Sequence, residues 1–411
     1  MSFQTKNPVT GEALPGSFAK SSAEEVSRAC ESCAAAASTL RRKSGEELAS
    51  LLETIGASLN EARDAILERV QAETGYPDGR VQGEFGRMVG GFAAFAEVAR
   101  DASWVEATID HADPDRAPLP KPDLRKMLIP IGPVGIFGAS NFPLALSAGG
   151  SDVTSALAAG CPVVVKGHSS HAGTCELIGM AIQEGVAKAG FPEGTYQLVQ
   201  GEGHEVGEAI VTHPDVAAVG FTGSLRGGRA LFDLASQREV PIPLYAEMGS
   251  VNPQFVLPEL VEANGEGFAE SFFGSITLGN GQFCTCPGML FLPPGSDALL
   301  EKLASLVADS TGQPVLNEGI CSAFESGMSR LESLEGVQVL AKGTLEGAVV
   351  GAPAMVVQVS YANYVAQREI LSEEVFGPST LVVNCVNQSE LNDCVASLEG
   401  QLTTTVWGSD T

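Results

Sequence analysis

Four short apolar runs, each closed by a turn and followed by residues at helical spacing, limit what this chain can fold into. They read PVGIFG (133–138), PVVVKG (162–167), YQLVQG (196–201) and AAVGFTGS (217–224). Their apolar character is continuous where a half-exposed strand would alternate, and that requires a parallel sheet covered on both faces. Parallel neighbours need crossover helices, so the fold class is α/β, built from successive βαβ units. A second α/β region opens near Glu247, with QFVLP (254–258), a helix around Glu262 to Leu278, and strands near GMLFLP (288–293) and STLVV (379–383).

The residues before the first of these runs follow another period. From Ser22 to Thr74 the Ala, Leu, Ile and Val residues recur at three and four positions, as in EELASLLETIGASLNEARDAILERV, which predicts two or three amphipathic helices. Phe85 to Ala102 continues the helical pattern. Between Trp104 and Asp123, Pro114, Pro118, Pro120 and Pro122 break helices and predict an extended excursion or hairpin. Met127 to Ser151 carries no charge and is long enough to span a bilayer, yet it holds three Pro and five Gly and reads as strand, turn and helix.

Composition narrows the function classes. A length of 411 residues suits two or three domains. A formal net charge of −26 repels phosphate backbones and anionic lipid, so neither nucleic acid nor a membrane surface is expected as a partner. The nine Cys lack the paired spacing of a secreted scaffold, and MSFQTKNPVTGE has no charged start or apolar h-region. Both point to a reducing, cytoplasmic setting with free thiols.

Several residues have chemistry to offer, each beside a plainer use. Asn141 follows the first run at the mouth of a turn, where its amide could donate to an oxyanion or bond its own backbone. Lys166 ends the second run and Ser169 stands three residues on, at the strand edge where α/β folds bind ligands; a solvated strand-end lysine is the alternative. The glycines Gly132, Gly135 and Gly138 do not form the usual G-x-G-x-x-G fingerprint. His168 and His171 resemble a ligand pair but have no Cys or carboxylate at metal spacing, and no metal site is expected. Ser224 opens a helix and is either an N-cap or part of an anion seat. Cys284 occupies a glycine-rich turn, GNGQFCTCPG, and Glu247 stands where the chain passes between the two α/β regions. Together they suggest a nucleophile and a base. A papain-like order needs a His after the thiol, and all five His precede Cys284.

Taken jointly, NFPL at Asn141 to Leu144, Lys166 after its strand, FTGS at Phe221 to Ser224, E-M-G at Glu247, GQFC at Cys284 and EEVFGP at Glu373 to Pro378 resemble the aldehyde dehydrogenase superfamily. The likeness runs from NPVTGE through nearly the whole chain and is greatest to the NADP-preferring branch of α-ketoglutaric semialdehyde (2,5-dioxovalerate) dehydrogenases. It implies a Rossmann-like cofactor domain (1–103 and 127–246), a small β oligomerisation arm (104–126) and a second α/β catalytic domain (247–411) lacking its C-terminal part. It also implies Cys284 as nucleophile, Asn141 with the Cys284 backbone N–H as oxyanion hole, and Glu247 as deacylation base. Lys166 and Ser169 would contact the adenosine ribose, Ser224 the pyrophosphate, and Glu374 with Phe376 the nicotinamide riboside.

The expected reaction is oxidation of a small aldehyde, a short semialdehyde such as 2,5-dioxopentanoate, to its acid through a thiohemiacetal and a thioester. Ser169 is neutral where an acidic residue would repel a 2′-phosphate, so NADP+ is expected, with NAD+ also accepted; His204 stands near where the branch has an arginine. Cys286 replaces an Asn of the branch and could pair with Cys284 on oxidation. The resemblance further implies a homodimer or homotetramer. The alternatives are a truncated NADP-binding relative without turnover, and an esterase using the same thiol.

Overall fold

The computed structural model describes residues 2–408. It divides into two compact units, one of Met1–Thr5 with Ala13–Met248, the other of Lys6–Glu12 with Gly249–Thr411.

The first unit opens with the small antiparallel pair β1 (Ser2–Phe3) and β2 (Phe18–Ala19). Four helices follow: α1 (Ala23–Leu40), α2 (Gly45–Glu61), α3 (Arg63–Thr74) and α4 (Asp78–Asp101). The starts of α1 and α2 are written in the sequence as capping boxes. Ser22 with Glu25 and Ser44 with Glu47 each satisfy two otherwise orphan N–H groups. Helix α4 begins seven residues before the apolar pattern that announces it, because Pro77 sets the extended backbone from which it starts. Next come β3 (Thr108–Asp110) and β4 (Leu124–Lys126), an antiparallel hairpin in the proline-rich stretch that leaves Ile109, Leu119 and Leu124 exposed.

A parallel five-stranded sheet forms the body of this unit, in the order β7-β6-β5-β8-β9. Its strands are β5 (Val134–Phe137), β6 (Val163–Lys166), β7 (Tyr196–Val199), β8 (Ala218–Gly223) and β9 (Leu244–Met248). The crossovers are α5 (Ser151–Ala158), α6 (Ala172–Lys188), α7 (Glu205–Thr212) and α8 (Leu225–Gln237). The continuous apolar runs have a direct cause here. Val163 and Val165 pack on one face with Leu52 and Ile55 of α2, Phe92 of α4 and Ile178 of α6. Val164 between them packs on the other face with Val26, Val206 and Ile210. Strand β9 escapes the sequence pattern because it is an edge strand with no fully buried residue.

The second unit holds a six-stranded sheet, β13-β16-β17-β11-β10-β18, in which only the β13–β16 pair is antiparallel. The strands are β10 (Gln254–Val256), β11 (Met289–Leu292), β13 (Gln338–Lys342), β16 (Met355–Ser360), β17 (Ser379–Asn384) and β18 (Thr405–Trp407). A smaller sheet places β12 (Thr311–Pro314) between β14 (Thr344–Leu345) and β15 (Gly351–Ala352). Helices α9 (Pro258–Thr277) and α10 (Asp297–Ala308) cover one face; α11 (Glu318–Glu332), α12 (Tyr361–Ala366), α13 (Arg368–Leu371) and α14 (Gln388–Ala396) complete the unit. Helix α9 starts at Pro258, ahead of the expected position, since proline suits the first turn. Residues 6–12 join this unit through Val349 N–H to the Val9 carbonyl, Val350 N–H to the Pro8 carbonyl and a Lys6–Glu318 ion pair. Among the described residues no helix is long and apolar enough to cross a membrane.

One buried charge ties the helical layer to the sheet edge. Glu73 of α3 is 0% exposed and accepts from Gly173 N–H (3.0 Å), Thr174 N–H (2.9 Å) and Thr174 Oγ1 (2.6 Å) at the start of α6. Arg69, one turn earlier, pairs with it at 2.9 Å. The carboxylate thereby occupies the positive end of α6 and carries its own counter-ion. Glu73→Ala leaves two buried amide donors of α6 without their acceptor and removes the counter-ion of Arg69, which keeps its bonds to the Pro15 carbonyl and the Thr5 hydroxyl. Urea unfolding of that variant is expected to show a loss of about 3–5 kcal/mol.

Candidate active site

The C-terminal edge of the five-stranded sheet gathers Asn141, Lys166, Ser169, His204, Ser224 and Glu247, where open parallel sheets bind their ligands. Lys166 is the last residue of β6; burial lowers its amine below the ordinary lysine value. Ser169 opens a single helical turn, Ser169–His171, that leads into α6. His204 is exposed just before α7, and Ser224 caps α8 by accepting from Gly227 N–H at 3.2 Å. Glu247, in β9 beside Thr222 of β8, is half-buried, and burial raises its carboxyl above the ordinary range. The shift raises its affinity for a proton, the direction that suits a general base.

The histidines behind Lys166 shape its loop. His168 Nδ1 accepts from Ser170 N–H at 3.2 Å, and its ring stacks on His171 with centroids 5.2 Å apart. His171 is fully buried with Nδ1 3.3 Å from the Cys175 thiol. Loss of water holds both imidazoles below their usual value, His168 well below, with His171 and Lys166 adding their repulsion there. Neutral rings leave Nδ1 able to accept. Among the described residues no group of three His, Cys, Asp or Glu is placed to hold a metal.

Asn141 is buried in the turn after β5, and side chains from α4 and the residues before it reach its main chain. Its carbonyl accepts from Arg80 Nη2 at 2.8 Å and from Tyr76 Oη at 3.2 Å.

In the second unit the structure brings GQFC against EEVFGP. Gly281 has φ +68°, and a Cβ there would stand 2.1 Å from the Gly377 carbonyl carbon, so only glycine allows the approach. Asn280 and Gln282 are buried and bind the β12 segment: Asn280 Nδ2 donates to the Gln313 and Ala352 carbonyls (2.7 and 3.0 Å), and Gln282 Oε1 accepts from Leu316 N–H (2.9 Å). Asn252, 2% exposed and left-handed at φ +44°, completes the anchoring. Its Nδ2 donates to the carbonyls of both Cys284 (2.8 Å) and Cys286 (2.9 Å), while its Oδ1 accepts from Ser250 and Thr403 hydroxyls.

The two thiols of this loop differ. Cys286 Sγ lies 3.7 Å from the Ile276 carbonyl and 3.8 Å from the Gly377 carbonyl. Burial, with Glu374 adding, pushes its thiol up to about 12, which leaves it protonated and a poor nucleophile. Cys284 is half-exposed, and no disulfide joins it to Cys286. Glu374 and Phe376 line, with Cys286 and Phe283, a cavity of about 20 Å³. That is room for one water.

Sequence reasoning missed the residues that hold these groups. Asn252 was visible as an Asn-Pro dipeptide, a turn signal, and Arg80 and Glu84 share an i, i+4 spacing that places them on one stripe of α4, with Tyr76 just before the helix. Neither signal marks a function without the partner that each side chain meets.

The profile of the aldehyde dehydrogenase family matches residues 1–411. The chain belongs to that family. This aldehyde dehydrogenase is 42% identical over 405 residues to alpha-ketoglutaric semialdehyde dehydrogenase 2 of Azospirillum brasilense, spanning 97% of this chain and 77% of the relative. It is 38% identical over 391 residues to alpha-ketoglutaric semialdehyde dehydrogenase of Acinetobacter baylyi, spanning 95% and 74%. Its fold matches betaine aldehyde dehydrogenase of Staphylococcus aureus with TM-score 0.84 at 21% identity, covering 100% of this chain and 80% of that one. An NAD-dependent benzaldehyde dehydrogenase of Corynebacterium glutamicum matches with TM-score 0.82 at 24% identity, covering 100% and 86%. The chain therefore has the aldehyde dehydrogenase fold and is an oxidoreductase of a family that uses NAD(P)+.

Asn252 gives the loop its testable weakness. Asn252→Ala removes the donor that the part-buried Cys284 and Cys286 carbonyls share and puts an alanine at positive φ. We expect a stability loss of about 2–4 kcal/mol in denaturant titration. A fall in kcat of about a hundredfold should accompany it, read in the folded fraction.

Proposed function

We propose that this aldehyde dehydrogenase oxidises a short semialdehyde, 2,5-dioxopentanoate, to the corresponding acid with NADP+, and accepts NAD+ as well. The 42% identity to the Azospirillum brasilense enzyme across 97% of the chain carries the choice of substrate. Residues 1–103 and 127–246 serve as the cofactor-binding domain and 247–411 as the catalytic domain. The hairpin at 104–126, with its exposed Ile109, Leu119 and Leu124, serves self-association as a homodimer or homotetramer.

The residues at the first sheet's C-terminal edge fit the cofactor by their chemistry. The Lys166 ammonium and the Ser169 hydroxyl suit the adenosine ribose, and Ser169 is neutral where a carboxylate would repel a 2′-phosphate. His204 on the next loop supplies a partner for that phosphate when protonated. Ser224, at the N-terminus of α8, suits the pyrophosphate, and Glu374 with Phe376 the nicotinamide riboside. NADP+, when bound, accepts the two electrons and the hydrogen that leave the aldehyde carbon.

The chain's own residues do the rest. Cys284, as thiolate, adds to the aldehyde carbon, and the C=O electrons move onto oxygen. The Asn141 amide and the Cys284 backbone N–H donate to that oxyanion. Collapse restores the carbonyl as a thioester with loss of the C–H bond. Glu247 then takes a proton from water, hydroxide equivalent adds to the thioester, and the C–S bond breaks to give the acid and the free thiolate.

Steady-state growth of NADPH absorbance with 2,5-dioxopentanoate tests this reading. Turnover is expected with kcat/KM higher for NADP+, and Cys284→Ala should lower kcat by more than about a thousandfold while NADP+ still binds. Full activity in Cys284→Ala contradicts the nucleophile. A kcat/KM at least about tenfold higher with NAD+ contradicts the preference, and tight NADP+ binding without any turnover contradicts the activity.

A further inference from the structure

We propose that Arg80 is a positioning residue for the oxyanion donor Asn141, acting through that residue's main-chain carbonyl. The inference rests on the role given to Asn141 above.

Arg80 stands in the first turn of α4. Its Nη2 donates to the Asn141 carbonyl at 2.8 Å, a charge-assisted bond, and Tyr76 Oη donates to the same oxygen at 3.2 Å. A carbonyl oxygen has two lone pairs, and here two side chains use them. The guanidinium is itself fixed: its carbon lies 3.7 Å from the Tyr76 ring centroid and 5.5 Å from that of Phe142. Holding the 141–142 peptide plane sets ψ of Asn141 and so the direction in which its side chain leaves the backbone.

Other bonds hold the rest of the turn. Ala139 N–H donates to the Leu146 carbonyl at 2.8 Å, and Leu146 N–H to the Phe142 carbonyl at 3.1 Å. Tyr196 Oη reaches the Ala148 carbonyl at 2.8 Å, and Gly138 lets Ser147 approach so closely that a Cβ would sit 2.4 Å from its Cα. The frame of the turn thus has bonds of its own, while the Asn141 carbonyl accepts from Arg80 and Tyr76.

An arginine beside an oxyanion donor invites another reading, a clamp for a substrate carboxylate. The neighbourhood argues against it. Glu84, one turn further along α4, is 5% exposed and lies within the field of Arg80 and Arg87, with the Leu144 main chain donating toward it. Burial pushes its carboxyl up to about 7 against the opposing pull of Arg80 and Arg87. A substrate carboxylate drawn to Arg80 would compete with that carboxyl for the same guanidinium.

The experiment compares kcat and KM of Arg80→Lys and Arg80→Met with 2,5-dioxopentanoate and with propanal, which has no carboxylate. Arg80→Met should lower kcat about 10–100-fold with both aldehydes, with KM and NADP+ affinity changed less than about threefold. Arg80→Lys should recover part of the loss, because an ammonium can still donate to the carbonyl. Asn141→Ala alone should lower kcat about 100–1,000-fold, and adding Arg80→Met to it should cost little more. If both arginine variants are recovered unfolded, Tyr76→Phe, which removes the second donor to the same carbonyl, carries the test with a smaller fall in kcat. A rise in KM confined to 2,5-dioxopentanoate, an unchanged kcat, or full additivity in the double variant overturns the inference. Retained activity in Asn141→Ala refutes instead the oxyanion role on which it stands.

Discussion

One buried amide governs how the cysteine loop is presented. Asn252 spans the carbonyls of Cys284 and Cys286 with a single nitrogen and anchors its oxygen on Ser250 and Thr403. With both carbonyls pulled toward one point, the two thiols of a C-x-C segment have little freedom to exchange places. The glycine contact between residues 281 and 377 then closes the far side, and the Cys286 sulfur turns to the Ile276 and Gly377 carbonyls. The outcome is chemical asymmetry between two half-buried cysteines: the Cys286 sulfur faces two carbonyls, and burial with Glu374 adding holds its thiol protonated. Oxidative pairing of the two would require Cys286 to leave those carbonyls.

The first unit achieves presentation by other means. The loops that leave β5, β6, β7 and β8 all lie at one end of its parallel sheet and lead to helix N-termini, so donors and short polar side chains collect along that edge. Glu73 shows how firmly that edge is built, since a carboxylate without exposure serves as the N-terminal cap of α6 immediately after the Lys166 loop. The stacked His168 and His171 fill the space beneath the same loop as neutral rings.

Much of this architecture was readable from residue order. The runs around Val134 and Val163 became central strands because a parallel strand buried on both faces must be apolar throughout, and those around Tyr196 and Ala218 pair beside them with only part of each strand buried. Prolines 114 to 122 marked the hairpin, and the motifs from NFPL to EEVFGP identified the family. The misses have physical causes as well. Strand β9 is a partly exposed edge, so LYAEM carries no apolar run, and residues 6–12 join the second unit through main-chain bonds that leave no trace in composition. Arg80 and Asn252 act on backbone carbonyls distant in sequence, and every residue has a carbonyl. Only the folded chain shows which one is met.

The central claim is that the pinned loop offers the sulfur of Cys284, and not that of Cys286, to a carbonyl carbon. Acid-quenched turnover with 2,5-dioxopentanoate and NADP+, followed by peptide mass spectrometry, reads it directly. The account predicts an acyl mass addition on Cys284 alone, lost when the quench is delayed past the end of the reaction. An acyl group on Cys286 or any other thiol, or rapid turnover with no acylated cysteine at any quench time, would contradict it.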